Sequence, residues 1–388
     1  MKRTVEEINA KIGKGDAVVM TAEEVVELVK KEGVEKATRE VDVVTTGTFG
    51  AMCSSGAFLN FGHSDPPIKM QKVWLNDVPA YGGLAAVDAY IGATELGENG
   101  KKNYGGAHVI EELVAGKAVK LKATSYGTDC YPRRSIETFV SLKSMNQAYL
   151  FNPRNLYQNY AVATNSSDRT LFTYMGKLLP NCKNASYSSA GQLSPLLKDP
   201  KLRTIGVGTR IFVGGAQGYV SWEGTQYKTN VPMKNGVPSA SARTLAVIGD
   251  MKQMSPDYVR GIYMHNYGAT LAIGIGVPIP VLDEDVMKNC GMGDDQLFAP
   301  VVDYALASRN RKPLQEVSYA DLRSGQFMLK GKKCRTSPLS SYHKARQVAE
   351  ELKRQIAEKE FFLTQMVQSM PEERAMKPLD VHTREEVE

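Results

Sequence analysis

Apolar and polar positions near the N-terminus recur at a helical period, behind two strong start signals. Thr4-Val5-Glu6-Glu7 sets a hydroxyl three residues ahead of a glutamate, the reciprocal cap that opens a helix. Thr21-Ala22-Glu23-Glu24 repeats it, and the helix it opens is predicted to end near Gly33. Residues 41–45, Val-Asp-Val-Val-Thr, read as a strand that runs into a stretch rich in glycine and hydroxyls. Turn signals dominate from 47 to 127, with a short helix predicted at 109–115 and a strand at 118–123. Segments 204–215, 243–250 and 270–279 mix strand formers with glycine. From 344 to 370 the pattern changes. Ala345, Val348, Ala349, Leu352, Ile356, Leu363, Met366 and Val367 fall at helical spacing, opposite Arg346, Glu350, Lys353 and Lys359.

Short strands and helices joined by tight connections predict an α/β protein. Its core is a mixed β-sheet with short helices and many Gly-rich loops, and a C-terminal amphipathic helix follows. The expected organisation is one catalytic α/β domain over 1–340, in one or two lobes. A helix over 341–370 docks on the same body, and 371–388 form a flexible polar tail. No repeat of fixed period is present.

Composition narrows the function. A chain of 388 residues, 42% hydrophobic and 23% charged, builds an ordinary globular core without staples. The net charge of +6 is mild, and no basic run interleaves with aromatics, which argues against nucleic acid. The N-terminus has no apolar signal region, and the longest apolar run, 269–282, is broken by Gly274, Gly276, Pro278 and Pro280, which argues against a membrane span. Five scattered cysteines (53, 130, 182, 290 and 334), with no Cys-x-x-Cys pair, predict a cytoplasmic protein with reduced thiols. They offer no local zinc or iron–sulfur spacing. Gly206-x-Gly208 has Ile211 where a dinucleotide fingerprint needs its third glycine. No cofactor is therefore recognisable in the chain.

Two of the cysteines lack the apolar neighbours of a structural thiol. Cys130 lies in Tyr126-Gly127-Thr128-Asp129-Cys130-Tyr131-Pro132-Arg133-Arg134, where two arginines three and four residues on favour a thiolate. Pro132 suits the first turn of a helix, which would set Cys130 at a helix N-terminus. Cys53, in Gly50-Ala51-Met52-Cys53-Ser54-Ser55-Gly56, has no cation nearby in sequence; its flanking backbone N–H groups suit an anion nest. For Cys53 alone, a structural and a functional role weigh evenly. Cys182, Cys290 and Cys334 read as structural.

Those two segments, with Phe61-Gly62-His63-Ser64-Asp65-Pro66-Pro67 and Gly214-Gly215-Ala216-Gln217-Gly218-Tyr219, resemble the homocysteine biosynthesis protein family, the L-aspartate semialdehyde sulfurtransferases of methanogenic archaea and some anaerobic bacteria. The resemblance runs from near residue 1 to the amphipathic helix. It implies synthesis of L-homocysteine from L-aspartate 4-semialdehyde and sulfide or persulfide sulfur, through a cysteine persulfide. The family's two motif cysteines map to Cys53 and Cys130, the second as the expected persulfide carrier. Longer members continue into regulatory-type or ferredoxin-like domains, whereas this chain ends without cluster spacing. An external two-electron reductant is therefore expected, from a separate ferredoxin-like iron–sulfur protein.

In the mechanism this suggests, Tyr126 and Thr128 stabilise the developing alkoxide. Cys53 then resolves the Cys130 persulfide as a disulfide. Arg133, Arg134 or Arg210 receives the substrate carboxylate, and Asp129 its ammonium. Two alternatives stay open: a non-catalytic persulfide carrier or assembly protein, and another thiolate enzyme acting on an aldehyde. A homo-oligomer is compatible with either.

Overall fold

Both predicted caps form in the computed structural model, which describes residues 2–98, 103–308 and 310–382. The Thr4 hydroxyl accepts from Glu7 N at 3.2 Å and the Glu7 carboxylate accepts from Thr4 N at 2.8 Å, opening the helix Val5–Lys14. Thr21 and Glu24 do the same for Ala22–Glu32, which ends at Gly33 with φ 83°. A further helix, Val34–Glu40, starts there without a side-chain cap and was not foreseen. It leads into Asp42, which is buried and paired with Arg3 at 2.5 Å and Lys11 at 2.7 Å. This ion cluster ties the first helix to the strand Val43–Thr45, inside the predicted 41–45.

Among the described residues the main sheet has thirteen strands. At its centre the long strand Gln147–Tyr157 pairs antiparallel with Gly56–Asn60 on one side and Thr244–Asp250 on the other. Beyond Gly56–Asn60 come Asp88–Gly92, Val78–Tyr81, Lys72–Leu75, Val119–Thr124 and the edge strand Ser135–Val140. The helix Gly106–Val114 contributes Val109, Ile110 and Leu113 to the core beneath this sheet. The strand Gly268–Gly276 is buried along its whole length and also carries the short strand Thr48–Ala51.

A second, six-stranded sheet has its own core around Val162, Tyr187, Val301, Tyr319 and Phe327. The mixed α/β architecture expected from the sequence is the one observed. Among the described residues, no helix is long and apolar enough to cross a membrane.

The C-terminal helix spans Tyr342–Ala357 and buries Ala345, Val348, Ala349, Leu352 and Ile356, as its periodicity predicts. It lies so close to residues 46–48 that a Cβ on Gly47 would come within 2.1 Å of the Ala345 carbonyl oxygen. The predicted extension to 370 does not form. Glu358-Lys359-Glu360 interrupts the apolar stripe, Arg354 gathers Glu351, Glu358 and Glu360, and Lys359 turns to φ 65°. The chain then runs without helix. Phe361 and Leu363 are buried, and Gln368 forms a bridge to Val207, while Val367 is 86% exposed. The start of the expected flexible tail is also held: Arg374 exchanges hydrogen bonds with Thr229 and pairs with Glu223 at 3.0 Å. Residues 383–388 lie outside the described residues.

Candidate active site

The site begins with a break in a strand. Strand Gln147–Tyr157 loses register with Thr244–Asp250 between Asn152 and Leu156. Pro153 supplies no ladder N–H, and prolines in sheets gather at such bulges. Asn152 is buried and stabilises the bulge: its side-chain oxygen accepts from Arg154 N at 3.0 Å and Asn155 N at 2.7 Å. Its amide nitrogen donates to the Ser55 hydroxyl at 2.9 Å. Bulges re-aim side chains, and here the two re-aimed residues reach the turn that carries Cys53. Asn155 accepts from Ser54 N at 2.7 Å, and Arg154 donates to the Ser54 hydroxyl from Nε at 3.3 Å and Nη2 at 3.1 Å.

The turn is also anchored from below. Met52 N donates to Leu271 O, Ser55 N to Met52 O, and Ala93 N to Ser55 O. Cys53 is half-buried, and its sulfur accepts from the Thr270 hydroxyl at 3.3 Å. It faces a cavity of about 470 Å³, within the range of small-molecule sites. The cavity is lined by residues from both sheets: Cys53, Ser54, Arg154 and Asn155 from the main sheet, and Ser188, Ser189 and Ser340 just after strands of the second.

Tyr157, Tyr160, Tyr174 and Tyr267 add phenols. The Tyr160 and Tyr174 hydroxyls are 3.1 Å apart, and Tyr174 and Tyr304 2.9 Å. Burial pushes the Tyr160 and Tyr267 phenols above their ordinary values, so both stay protonated. The nearby Cys53 adds to the effect on Tyr267. Among the described residues that line it, Arg154 is the one with a formal charge. No carboxylate among the described residues pairs with it.

Cys130 sits elsewhere. Its loop joins Val119–Thr124 to Ser135–Val140, and the residue is exposed, 3.4 Å from the Thr128 hydroxyl. No helix begins at Pro132; the chain passes directly into the strand Ser135–Val140. The helix-terminus contribution expected for Cys130 is therefore absent. Arg133 is turned away from the thiol and donates to the Pro66 and Asp65 carbonyls at 2.9 and 2.7 Å. Tyr131 stacks on His63. Asp129, Arg134 and Tyr126 are exposed on this loop. Arg210 lies apart from both cysteine segments: it donates to the Phe362 carbonyl at 3.2 Å and covers the Tyr219 ring.

Register shows how the two cysteines relate. Thr124 pairs with Lys72, Lys72 with Tyr81, Tyr81 with Tyr90, and Tyr90 with Phe58. The Cys130 loop thus leaves the sheet on the Asn60 side and packs on residues 63–67, whereas Cys53 precedes Gly56. At ~3.4 Å per residue, the strand Gly56–Asn60 alone separates them by about 14 Å, twice the ~7 Å Cα reach of a disulfide. Of the site residues expected from the sequence, only Cys53 lines the cavity.

A model of the family described as "Homocysteine biosynthesis enzyme, sulfur-incorporation" matches residues 17–363. The chain belongs to this family. Two relatives named L-aspartate semialdehyde sulfurtransferase are similar to this homocysteine biosynthesis family member. One, from Methanosarcina acetivorans, is 52% identical over 98% of this chain and 74% of its own length. The other, from Methanocaldococcus jannaschii, is 50% identical over 95% of this chain and 73% of its own. An uncharacterised protein of Methanothermobacter thermautotrophicus is 31% identical over 84% of this chain and 73% of its own length. No solved structure matches.

In this member of the homocysteine biosynthesis family, Asn152, Arg154 and Asn155 escaped the sequence reading. The available signal was Asn152-Pro153, an Asx-turn former and a strand breaker inside an otherwise strand-like stretch.

Proposed function

We propose that this chain makes L-homocysteine from L-aspartate 4-semialdehyde, with the chemistry at Cys53. Two relatives of about half-identical sequence carry the name of that activity. The observation that carries the site assignment is a thiol and an acid-free guanidinium meeting in one cavity. The cavity is of metabolite size, lined by hydroxyls and protonated phenols. An aldehyde held there faces the thiol, and the alkoxide that forms on sulfur attack meets O–H donors.

The roles of the two cysteines follow their surroundings. Cys53 presents sulfur to the substrate. Cys130, exposed on its loop, exchanges sulfur or electrons with whatever delivers them. A Cys53 persulfide, formed by transfer of sulfane sulfur from a donor persulfide or polysulfide, adds to the aldehyde carbon, forming the C–S bond while the carbonyl electron pair moves to oxygen and takes a proton. One electron pair then cleaves the S–S bond, returning the Cys53 thiolate and leaving a thiohemiacetal. Loss of water gives a thioaldehyde, and a second pair with two protons gives the thiol. In this reading the electrons come from a separate iron–sulfur donor.

The test is anaerobic loading of the chain with sulfane sulfur from polysulfide, then incubation with aspartate semialdehyde and a low-potential reductant, with homocysteine read by mass spectrometry. Product is expected from the native chain and none from Cys53→Ser. Product from Cys53→Ser at the native rate sinks the assignment. Persulfide loading without product leaves a sulfur carrier instead of an enzyme.

A further inference from the structure

We propose that Arg154 is the carboxylate anchor of this site, and that the cavity selects its substrate by the carboxylate and not by the ammonium. This rests on the reading of Cys53 as the reacting thiol. An arginine in a folded protein usually meets a carboxylate or several carbonyls. Arg154 is half-buried, and its Nε and Nη2 both point at a single neutral oxygen, the Ser54 hydroxyl, at 3.3 and 3.1 Å. Those two N–H groups form the edge of the guanidinium that fits a carboxylate as a fork. One long-bonded hydroxyl leaves that edge unsaturated, and a carboxylate replaces or joins it with shorter, charge-assisted bonds.

The scale also fits. Ser54 follows Cys53 directly, ~3.8 Å apart between Cα atoms, and the guanidinium bonds the Ser54 hydroxyl, which sets it beside the residue that carries the thiol. In a four-carbon aldehyde acid two carbons separate the carboxylate from the carbonyl carbon. Holding one end on Arg154 therefore brings the other to Cys53. The clamp is stiff, because Asn152 fixes the bulge and Asn155 holds the Ser54 backbone.

Charge content supplies the selectivity. Among the described residues no Asp, Glu, Lys or His lines the cavity, and the one formal charge they bring to it is the positive one on Arg154. The ammonium of an amino-acid substrate meets only neutral oxygens there, such as those of Ser188, Ser189 and the tyrosines. A carboxylate is required and an ammonium is tolerated.

The experiment compares three aldehydes and one unreactive analogue. Aspartate semialdehyde has both charged groups, succinate semialdehyde lacks the ammonium, 3-aminopropanal lacks the carboxylate, and L-homoserine keeps both groups but has no aldehyde. The native chain is expected to turn over the first two and to use 3-aminopropanal poorly. Arg154→Gln is expected to raise KM for the first two by about 10–100-fold, the scale of charge-assisted hydrogen bonds. It should change kcat only a few-fold, leave 3-aminopropanal unchanged and leave sulfur loading of Cys53 intact by protein mass. Arg154→Lys should recover part of the KM loss.

An unchanged KM overturns the anchor. So does equal loss on aldehydes with and without a carboxylate, or loss of Cys53 loading, each of which makes Arg154 a support for the thiol instead. Homoserine binding by calorimetry separates this proposal from the functional reading. Binding that is lost in Arg154→Gln, with no product from either protein, keeps the anchor and sinks the sulfurtransferase. Equal binding to both proteins, or none to either, overturns the anchor whatever happens to turnover.

Discussion

Five thiols of one chemical type differ here only in their surroundings. Cys290 is fully buried, and that burial pushes its thiol up to about 12; Cys334 is pushed up to about 11 for the same reason. Cys130 is exposed, and Cys53 opens on a cavity. Reactivity toward alkylating agents follows access and thiolate fraction. Brief iodoacetamide treatment of the native protein at neutral pH, followed by peptide mapping, should therefore label Cys130 first and Cys53 second. Cys290 and Cys334 should label only after unfolding. Labelling of Cys290 at the rate of Cys130 would contradict the burial described. At this scale the sequence was informative. Cys53 and Cys130 stood out by their glycine and hydroxyl neighbours, and the residues read as structural include both buried thiols.

Elements depend on their ends. The helix Glu284–Cys290 starts at Asp283, which accepts from Val286 N at 3.1 Å and receives the Arg203 fork at 2.9 and 2.6 Å. Hydrogen bonding from Arg203 holds the Asp283 carboxyl down at about 2, below the ordinary carboxylate range. A group whose pKa falls on folding stabilises the folded state above its unfolded value, and that stability disappears as pH drops through the folded value. Asp283→Asn should thus cost about 1–2 kcal/mol near neutral pH. The difference from the native protein should shrink between about pH 4 and pH 2. Denaturant melts across that range would show it, and a difference that does not change with pH would remove the ion pair as its cause. Capped helices were legible in advance because a capping box is local: four consecutive residues carry the whole signal. The end of the C-terminal helix was not. Apolar residues past 360 keep a helical period, but Phe361 and Leu363 find burial on an extended path instead.

Across the whole molecule, the position of a loop on the sheet decides what chemistry two thiols share. Cys53 and Cys130 flank opposite ends of the strand Gly56–Asn60, so mild oxidation of the monomer should give no Cys53–Cys130 link within one chain. A non-reducing peptide map checks this, and an intrachain link would show that the two ends approach each other during the cycle. Disulfides between copies, if they form, should run through Cys130, the exposed thiol.

By itself the sequence determined the mixed α/β class, the capped helices, the two unusual cysteine segments and the resemblance that the family match bears out. Each of these is written in neighbouring residues: a hydroxyl three positions before a glutamate, alternation within a strand, glycines around a thiol. Only the tertiary structure decided which residues surround Cys53. Arg154 and Ser54 are a hundred positions apart, and they meet because a bulge in one strand faces a turn before its neighbour. Arg133, close to Cys130 in sequence, is drawn to the carbonyls of residues 65 and 66 instead. Nearness along the chain predicts local geometry. The cation that reaches a given thiol is set by strand register and by competing hydrogen bonds, and both are properties of the assembled fold.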